Sequence, residues 1–127
     1  MRRMFIVGLL SLLAGCAFMQ PSGQRFVVYF DPSSAKLMDS AKTVVAAAAD
    51  WANKHPDMPV KVAVYADPYG SQKANDDFTR LRGQAVIDAL VGSGVAAARI
   101  QRIDVGSVGF QADSHESRRV EITVGTP

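Results

Sequence analysis

Residues 60–83 read VKVAVYADPYGSQKANDDFTRLRG, and the change of rhythm inside this stretch decides the fold. Val60, Val62 and Val64 alternate with Lys61, Ala63 and Tyr65, the period-two pattern of a strand with one buried face. Asp67-Pro68-Tyr69-Gly70 then interrupts it with turn-forming residues. From about Ser71 to Val91 the period becomes helical. With Phe78 at zero and about 100° per residue, Leu81, Ala85, Ala89 and Val86 fall in one apolar arc. A strand that opens through a short turn into a helix begins a βα unit, and α/β sheets gather ligands at such corners.

The same reasoning extends in both directions. Upstream, Arg25 to Phe30 (RFVVYF) is rich in β-branched and aromatic residues and reads as a buried strand. Asp31 is suited to cap a helix that Pro32 begins, because proline at the first helical position loses no needed hydrogen bond. This predicts a helix from Pro32 to about His55, with Leu37, Ala41, Val44, Val45, Ala48 and Ala52 as its apolar stripe and Pro56 ending it. His55 reads as a C-terminal helix residue favoured by the dipole rather than as a ligand or base. Downstream, Ile100, Ile103 and Val105 predict a third strand over 100–107, and Arg119 to Val124 alternates cleanly as a fourth. The order β-α-β-α-β-β describes an α/β (α+β) two-layer sandwich. Its sheet is mixed and four-stranded, with two main helices on one face and water on the other. Short links favour parallel pairing of consecutive strands through right-handed crossovers, with the last strand antiparallel.

The 127 residues suffice for one domain, and a hydrophobic content of 48% is enough to bury a core without disulfides or a structural metal. The chain has 14 Lys and Arg against 12 Asp and Glu. Two of the basic residues, Arg2 and Arg3, precede an apolar run from Met4 to Leu13 that is too short to span a bilayer. Setting that segment aside leaves a neutral domain with no basic stripe for phosphates, which disfavours nucleic acid as a partner. Cys16 is the only cysteine, so it has no internal disulfide partner, and no Cys or His companions stand at metal-ligand spacing. Residues 17–24 carry Pro21 and Gly23 without periodicity and read as a tether reaching about 28 Å at roughly 3.5 Å per residue. The folded domain is expected over 25–127.

One residue of the second helix does not fit the pattern. Arg82 falls at about 40°, inside the apolar arc, where an unpaired guanidinium is costly. It calls for an anionic partner, and Asp67, at the end of the preceding strand, is the best placed. Two readings stand on physics alone: a solvent-facing charged site, or an ion pair closed inside the protein.

Leu13-Ala14-Gly15-Cys16 resembles the lipobox of bacterial lipoproteins, in which the signal is cut before a cysteine that is then acylated. That implies residues 1–15 as signal peptide, a lipid anchor on Cys16 and, with Ala17 rather than Asp following, an outer-membrane destination. The segment from Val64 to Gly83, with Asp67, Gly70-Ser71, Asn75 and Arg82-Gly83, resembles the signature of the OmpA-like domain family. Asp67 and Arg82 stand 15 residues apart, as in that family. Tyr29-Phe30-Asp31 resembles the family's opening, and Ser117-Arg118-Arg119-Val120-Glu121-Ile122 its closing run. Ala66 stands in place of the usual Thr, Phe78-Thr79 in place of Leu-Ser, Gly83 in place of Ala and Ser117 in place of Asn. The resemblance implies non-covalent binding of peptidoglycan through the meso-diaminopimelate of its stem peptide. On that pattern Asp67 takes the ammonium and Arg82 the carboxylate, through a planar fork that lysine lacks. Asn75 orients the loop or bonds the ligand, while Phe30, Asp31 and Gly70 form walls and allow close backbone approach. No cofactor or metal is called for.

A second reading keeps the fold as a structural lipoprotein of an envelope protein complex, with the Asp67–Arg82 pair internal. A third, a hydrolase using Asp67 or Asp31 with a histidine, lacks zinc-ligand spacing, a serine triad or paired catalytic carboxylates. A strong cationic partner also keeps Asp67 ionised rather than poised as an acid. His115 reads as a solvated residue in a polar loop between the last two strands.

Overall fold

A computed structural model describes residues 22–66, 68–107 and 114–126 of the chain. The alternating valines lie at its centre. Strand β2 (Val60–Ala66) turns Val60, Val62, Val64 and Ala66 toward the helices and Lys61, Ala63 and Tyr65 away from them. Helix α2 (Gln72–Gly92) follows, begun by Ser71, whose hydroxyl accepts a hydrogen bond from the Ala74 amide at 3.2 Å. Strand β3 (Ile100–Ser107) runs parallel to β2, reached through a 3-10 turn at Ala97–Arg99. Short helix α3 (Ser114–Ser117) precedes β4 (Arg119–Gly125), where Val120, Ile122 and Val124 face the helices.

The first strand departs from expectation. β1 (Gly23–Tyr29) begins two residues earlier than predicted and does not pair with β2. The sheet order is β1-β4-β2-β3, so β4 lies antiparallel between β1 and β2. β1 is therefore an edge strand, and of its residues only Val28 is buried. The hydrophobic composition of residues 25–30 signals a strand but does not say which of its edges finds a partner.

Helix α1 (Asp39–Lys54) also starts later than predicted. Residues 31–38 form an irregular loop with Ser33 at φ +51°, and Asp31 does not cap a helix. The loop's carbonyls are used elsewhere, as described below. Ala41, Val45, Ala48, Ala49 and Ala52 of α1 are buried, with Leu37 and Val44 packed against them, so the expected stripe holds. The C-terminus of α1 is closed by Arg99, which donates to the carbonyls of Ala52, His55 and Met58 at 3.1, 3.0 and 2.8 Å. His55 is the C-cap, with its ring stacked on Trp51 at 4.2 Å between centroids.

Both main helices pack on one face of the sheet. Among the described residues, every member of the hydrophobic core falls between Phe26 and Val124. No helix among the described residues is long and apolar enough to cross a membrane.

Candidate functional site

The α2 arc is rotated from its predicted position. The buried side of the helix carries Thr79, Arg82, Gly83, Val86 and Leu90, whereas Leu81, assigned to the arc from the sequence, is 44% exposed. The small residues explain the rotation. Gly83 lets the helix approach Val64 of β2, and a Cβ there would come within 2.8 Å of the Val64 Cγ2. Turning this side inward takes Arg82 with it, to 2% exposure.

Arg82 is held by the loop that was expected to be helical. Its Nε donates to the Ser34 carbonyl at 2.8 Å and its Nη2 to the Asp31 carbonyl at 3.1 Å. The guanidinium also sits 5.5 Å from the centre of the Phe30 ring and 5.1 Å from that of Phe78. These contacts offset the desolvation of the charge and explain why residues 31–38 remain irregular: a helix there would turn the two carbonyls into its own ladder. The anionic partner proposed from the sequence, Asp67, lies outside the described residues, as does Cys16.

The remaining sequence candidates fall around Arg82 in different roles. Phe30 is 1% exposed and supports the guanidinium from within the core rather than forming a wall. Asp31 contributes its carbonyl, while its side chain is exposed. Gly70 adopts φ +94°, a conformation that glycine takes without strain, and so turns the β2–α2 loop back over the helix start. Asn75 fixes that loop: its Nδ2 donates to the Tyr69 carbonyl at 3.0 Å.

Together these elements enclose an open pocket of about 170 Å³ whose lining includes Arg82, Asn75, Gly70, Tyr69, Phe78 and Arg118. Arg118 is the residue that sequence reasoning missed. It is 9% exposed, and its Nε donates to the Phe30 carbonyl at 3.2 Å. Its signal was present in β4, since Arg118 shares the inward parity of Val120, Ile122 and Val124. Two arginines, both tied through Nε to main-chain carbonyls, thus line one solvent-accessible cavity. Guanidinium groups held in this way have a geometry suited to a planar anion such as a carboxylate. Beyond Gly70 and Asn75 a second cavity of about 310 Å³ continues along α2 past Ala66, Thr79 and Asp104.

His115 belongs to neither cavity lining and is not a loop residue. It sits in α3 with its ring stacked on Tyr29 at 4.6 Å. Among the described residues no group of three or more His, Cys, Asp or Glu side chains could hold a metal ion.

The sequence profile of the OmpA family matches residues 29–122. The chain is 32% identical over 79 residues to the peptidoglycan-associated lipoprotein of Mesorhizobium japonicum, an alignment covering 62% of this chain and 47% of that protein. It is 31% identical over 103 residues to the probable lipoprotein YiaD of Escherichia coli, covering 76% of this chain and 47% of that protein. The chain therefore spans about half the length of the curated relatives it matches. Among solved structures, the peptidoglycan-associated lipoprotein of Burkholderia pseudomallei has the same fold. Its TM-score is 0.69 at 24% identity, over 78% of this chain and 89% of that one.

Proposed function

The chain belongs to the OmpA family, and we propose that it is a lipid-anchored outer-membrane protein whose domain grips peptidoglycan through the meso-diaminopimelate of the stem peptide. The observation that carries this reading is the pair of buried arginines, Arg82 and Arg118, lining one open pocket at the end of the sheet. Diaminopimelate presents an ammonium and a carboxylate on one carbon, so its recognition needs a cation and an anion held a few ångströms apart. Arg82 and Arg118 supply the carboxylate site, and Asp67, at the mouth of the β2–α2 loop in sequence, takes the ammonium. Asn75 acts as a positioning residue by fixing the loop, and Tyr69 and Phe78 form apolar sides against the methylene stem.

The role is binding rather than bond cleavage. Arg82 holds its own loop and presents charge, and among the described residues of the pocket's lining none pairs a nucleophile with a base. Acylation of Cys16 would tie the domain to the membrane while the pocket engages the wall.

Co-sedimentation of residues 22–127 with purified diaminopimelate-type sacculi tests the reading. Wild type should pellet, and Asp67→Asn and Arg82→Lys, each confirmed folded by circular dichroism, should remain in solution. A folded wild-type domain that stays in solution would refute peptidoglycan binding and leave a structural role within an envelope complex.

A further inference from the structure

The open face of the sheet carries a second polar site, at the opposite end from the arginine pocket. Arg25 of β1 and Lys61 of β2 are both cross-strand partners of Thr123 on β4, and Lys61 pairs in turn with Gln101 on β3. One row across all four strands therefore reads Arg25, Thr123, Lys61, Gln101, with every member on the solvent side. Neighbouring strands lie about 4.8 Å apart, which puts the two cationic residues roughly 10 Å apart across the threonine.

Among the described residues neither cation has an ion-pair partner. The acid in the same groove, Glu121, is already engaged by the Arg119 Nε and the Tyr65 hydroxyl, both at 3.2 Å. It does not neutralise them. A groove of about 250 Å³ lies along the row, lined by Arg25, Lys61, Tyr65, Glu121, Thr123 and Thr126. Two like charges in one sheet row with no acid between them repel, and an anion seated over the intervening hydroxyl would relieve that repulsion.

We propose that this groove takes a phosphate group, with the Arg25 fork and Lys61 ammonium on its oxygens and the Thr123 hydroxyl donating between them. The source we assign is the headgroup of an anionic phospholipid. Arg25 lies two residues into β1, at the end of the sheet where the chain enters from Cys16, whereas Phe30, Ala66 and Arg118 mark the pocket end. From Cys16 to Arg25 the chain extends at most about 30 Å. A groove on this pole is within reach of the leaflet holding the anchor. The choice of lipid as the phosphate source rests on the proposed acylation of Cys16, but the groove itself does not.

The test uses the acyl-free segment 22–127, which carries every described member of the core, so its outcome does not depend on Cys16. Flotation with vesicles of phosphatidylethanolamine and phosphatidylglycerol at low ionic strength is compared with phosphatidylcholine vesicles. Binding to the anionic vesicles is expected, with about fivefold loss for Arg25→Gln or Lys61→Gln alone and about twenty-five-fold for both. Inorganic phosphate should compete better than chloride at equal ionic strength. Equal flotation of wild type and the double variant, or no flotation of either, would overturn the proposal. Shifts of the Thr123 and Lys61 amides by inorganic phosphate without vesicle binding would overturn the lipid assignment in favour of a free phosphate ligand. Sacculus sedimentation of the same samples reads the pocket separately: the double variant should pellet as wild type does, so either site can fail alone.

Discussion

Replacing Gly83 with alanine is expected to destabilise this domain even though alanine is the better helix former. In an open helix the change would contribute about 1 kcal/mol of stability. Here a Cβ would stand 2.7 Å from the Arg102 Cζ, 2.8 Å from its Nη2 and 2.8 Å from the Val64 Cγ2. A loose arginine would swing aside, but this one is held at three points. Its Nε donates to Asp104 at 2.8 Å, its Nη1 to the Arg80 carbonyl at 3.3 Å and its Nη2 to the Thr79 carbonyl at 3.1 Å. Val64 is fully buried and has nowhere to go. Overpacking of this kind costs about 1–3 kcal/mol, and loosening the two carbonyl contacts adds about 0.5–1.5 kcal/mol each. Against the helix gain of about 1 kcal/mol the net is a loss of about 1–5 kcal/mol. At about 4–8 °C per kcal/mol for a domain near this size, the loss is visible in a thermal melt. Urea unfolding of Gly83→Ala, Arg102→Ala and the double variant isolates the cause: without the guanidinium only the Val64 contact remains, so the double variant should be more stable than the sum of the single losses by about 1 kcal/mol. A Gly83→Ala domain as stable as wild type, or strictly additive losses, would refute the argument that Arg102 dictates the glycine.

Three other outcomes can be checked with the same preparations. Arg99→Met should lower stability by about 2–3 kcal/mol in urea unfolding, because the carbonyls of Ala52, His55 and Met58 lose their shared donor at the end of α1. Ser71→Ala should cost about 1 kcal/mol by removing the acceptor for the Ala74 amide, read as a lower urea midpoint with an unchanged slope. Arg118→Lys should leave the domain folded by circular dichroism but reduce sacculus pelleting by roughly tenfold or more, since a single ammonium replaces a planar fork at the pocket.

How much of this was legible in the sequence follows from what each signal can encode. Alternation in residues 60–65 and 119–124 located two strands and their inward faces, because period two is a property of the local chain. The pairing of β1 was not legible: it depends on which edge of β4 is available, a long-range choice that residues 25–30 do not record. The start of α1 failed for a related reason. Asp31-Pro32 is a sound local helix signal, but Arg82, about fifty positions away, takes the carbonyls of Asp31 and Ser34, and that tertiary demand overrides it. On α2 the apolar arc was drawn through Leu81 and missed Thr79 and Gly83, because a hydrophobicity count gives small residues little weight where helix and sheet come closest. Arg82 was still identifiable, since a guanidinium near an apolar arc is costly wherever the arc's centre lies. Arg118 required only that the parity of β4 be carried one step further back, past its first residue.

The two ends of the sheet also bear on the shortness of the tether. If Cys16 carries the lipid, as proposed, the seven residues to Gly23 extend at most about 25 Å, and the seven residues of β1 add about 23 Å. The pocket lies beyond the far end of that strand, so an upright domain whose entry-end groove has left the headgroups presents it at most roughly 50 Å from the leaflet. The same tether joined to the pocket end would bring the pocket only about half as far. Placing the ligand site opposite the entry point therefore lets the folded domain itself serve as the spacer. This predicts a length dependence that a long flexible linker would not show. Deleting residues 19–22 from the lipidated protein would remove about 14 Å of reach and should reduce the fraction crosslinked to the wall in intact cells, while leaving sedimentation of the lipid-free domain with isolated sacculi unchanged. Equal crosslinking by the shortened and full-length proteins would mean that reach is not limiting and that the domain meets its ligand close to the membrane.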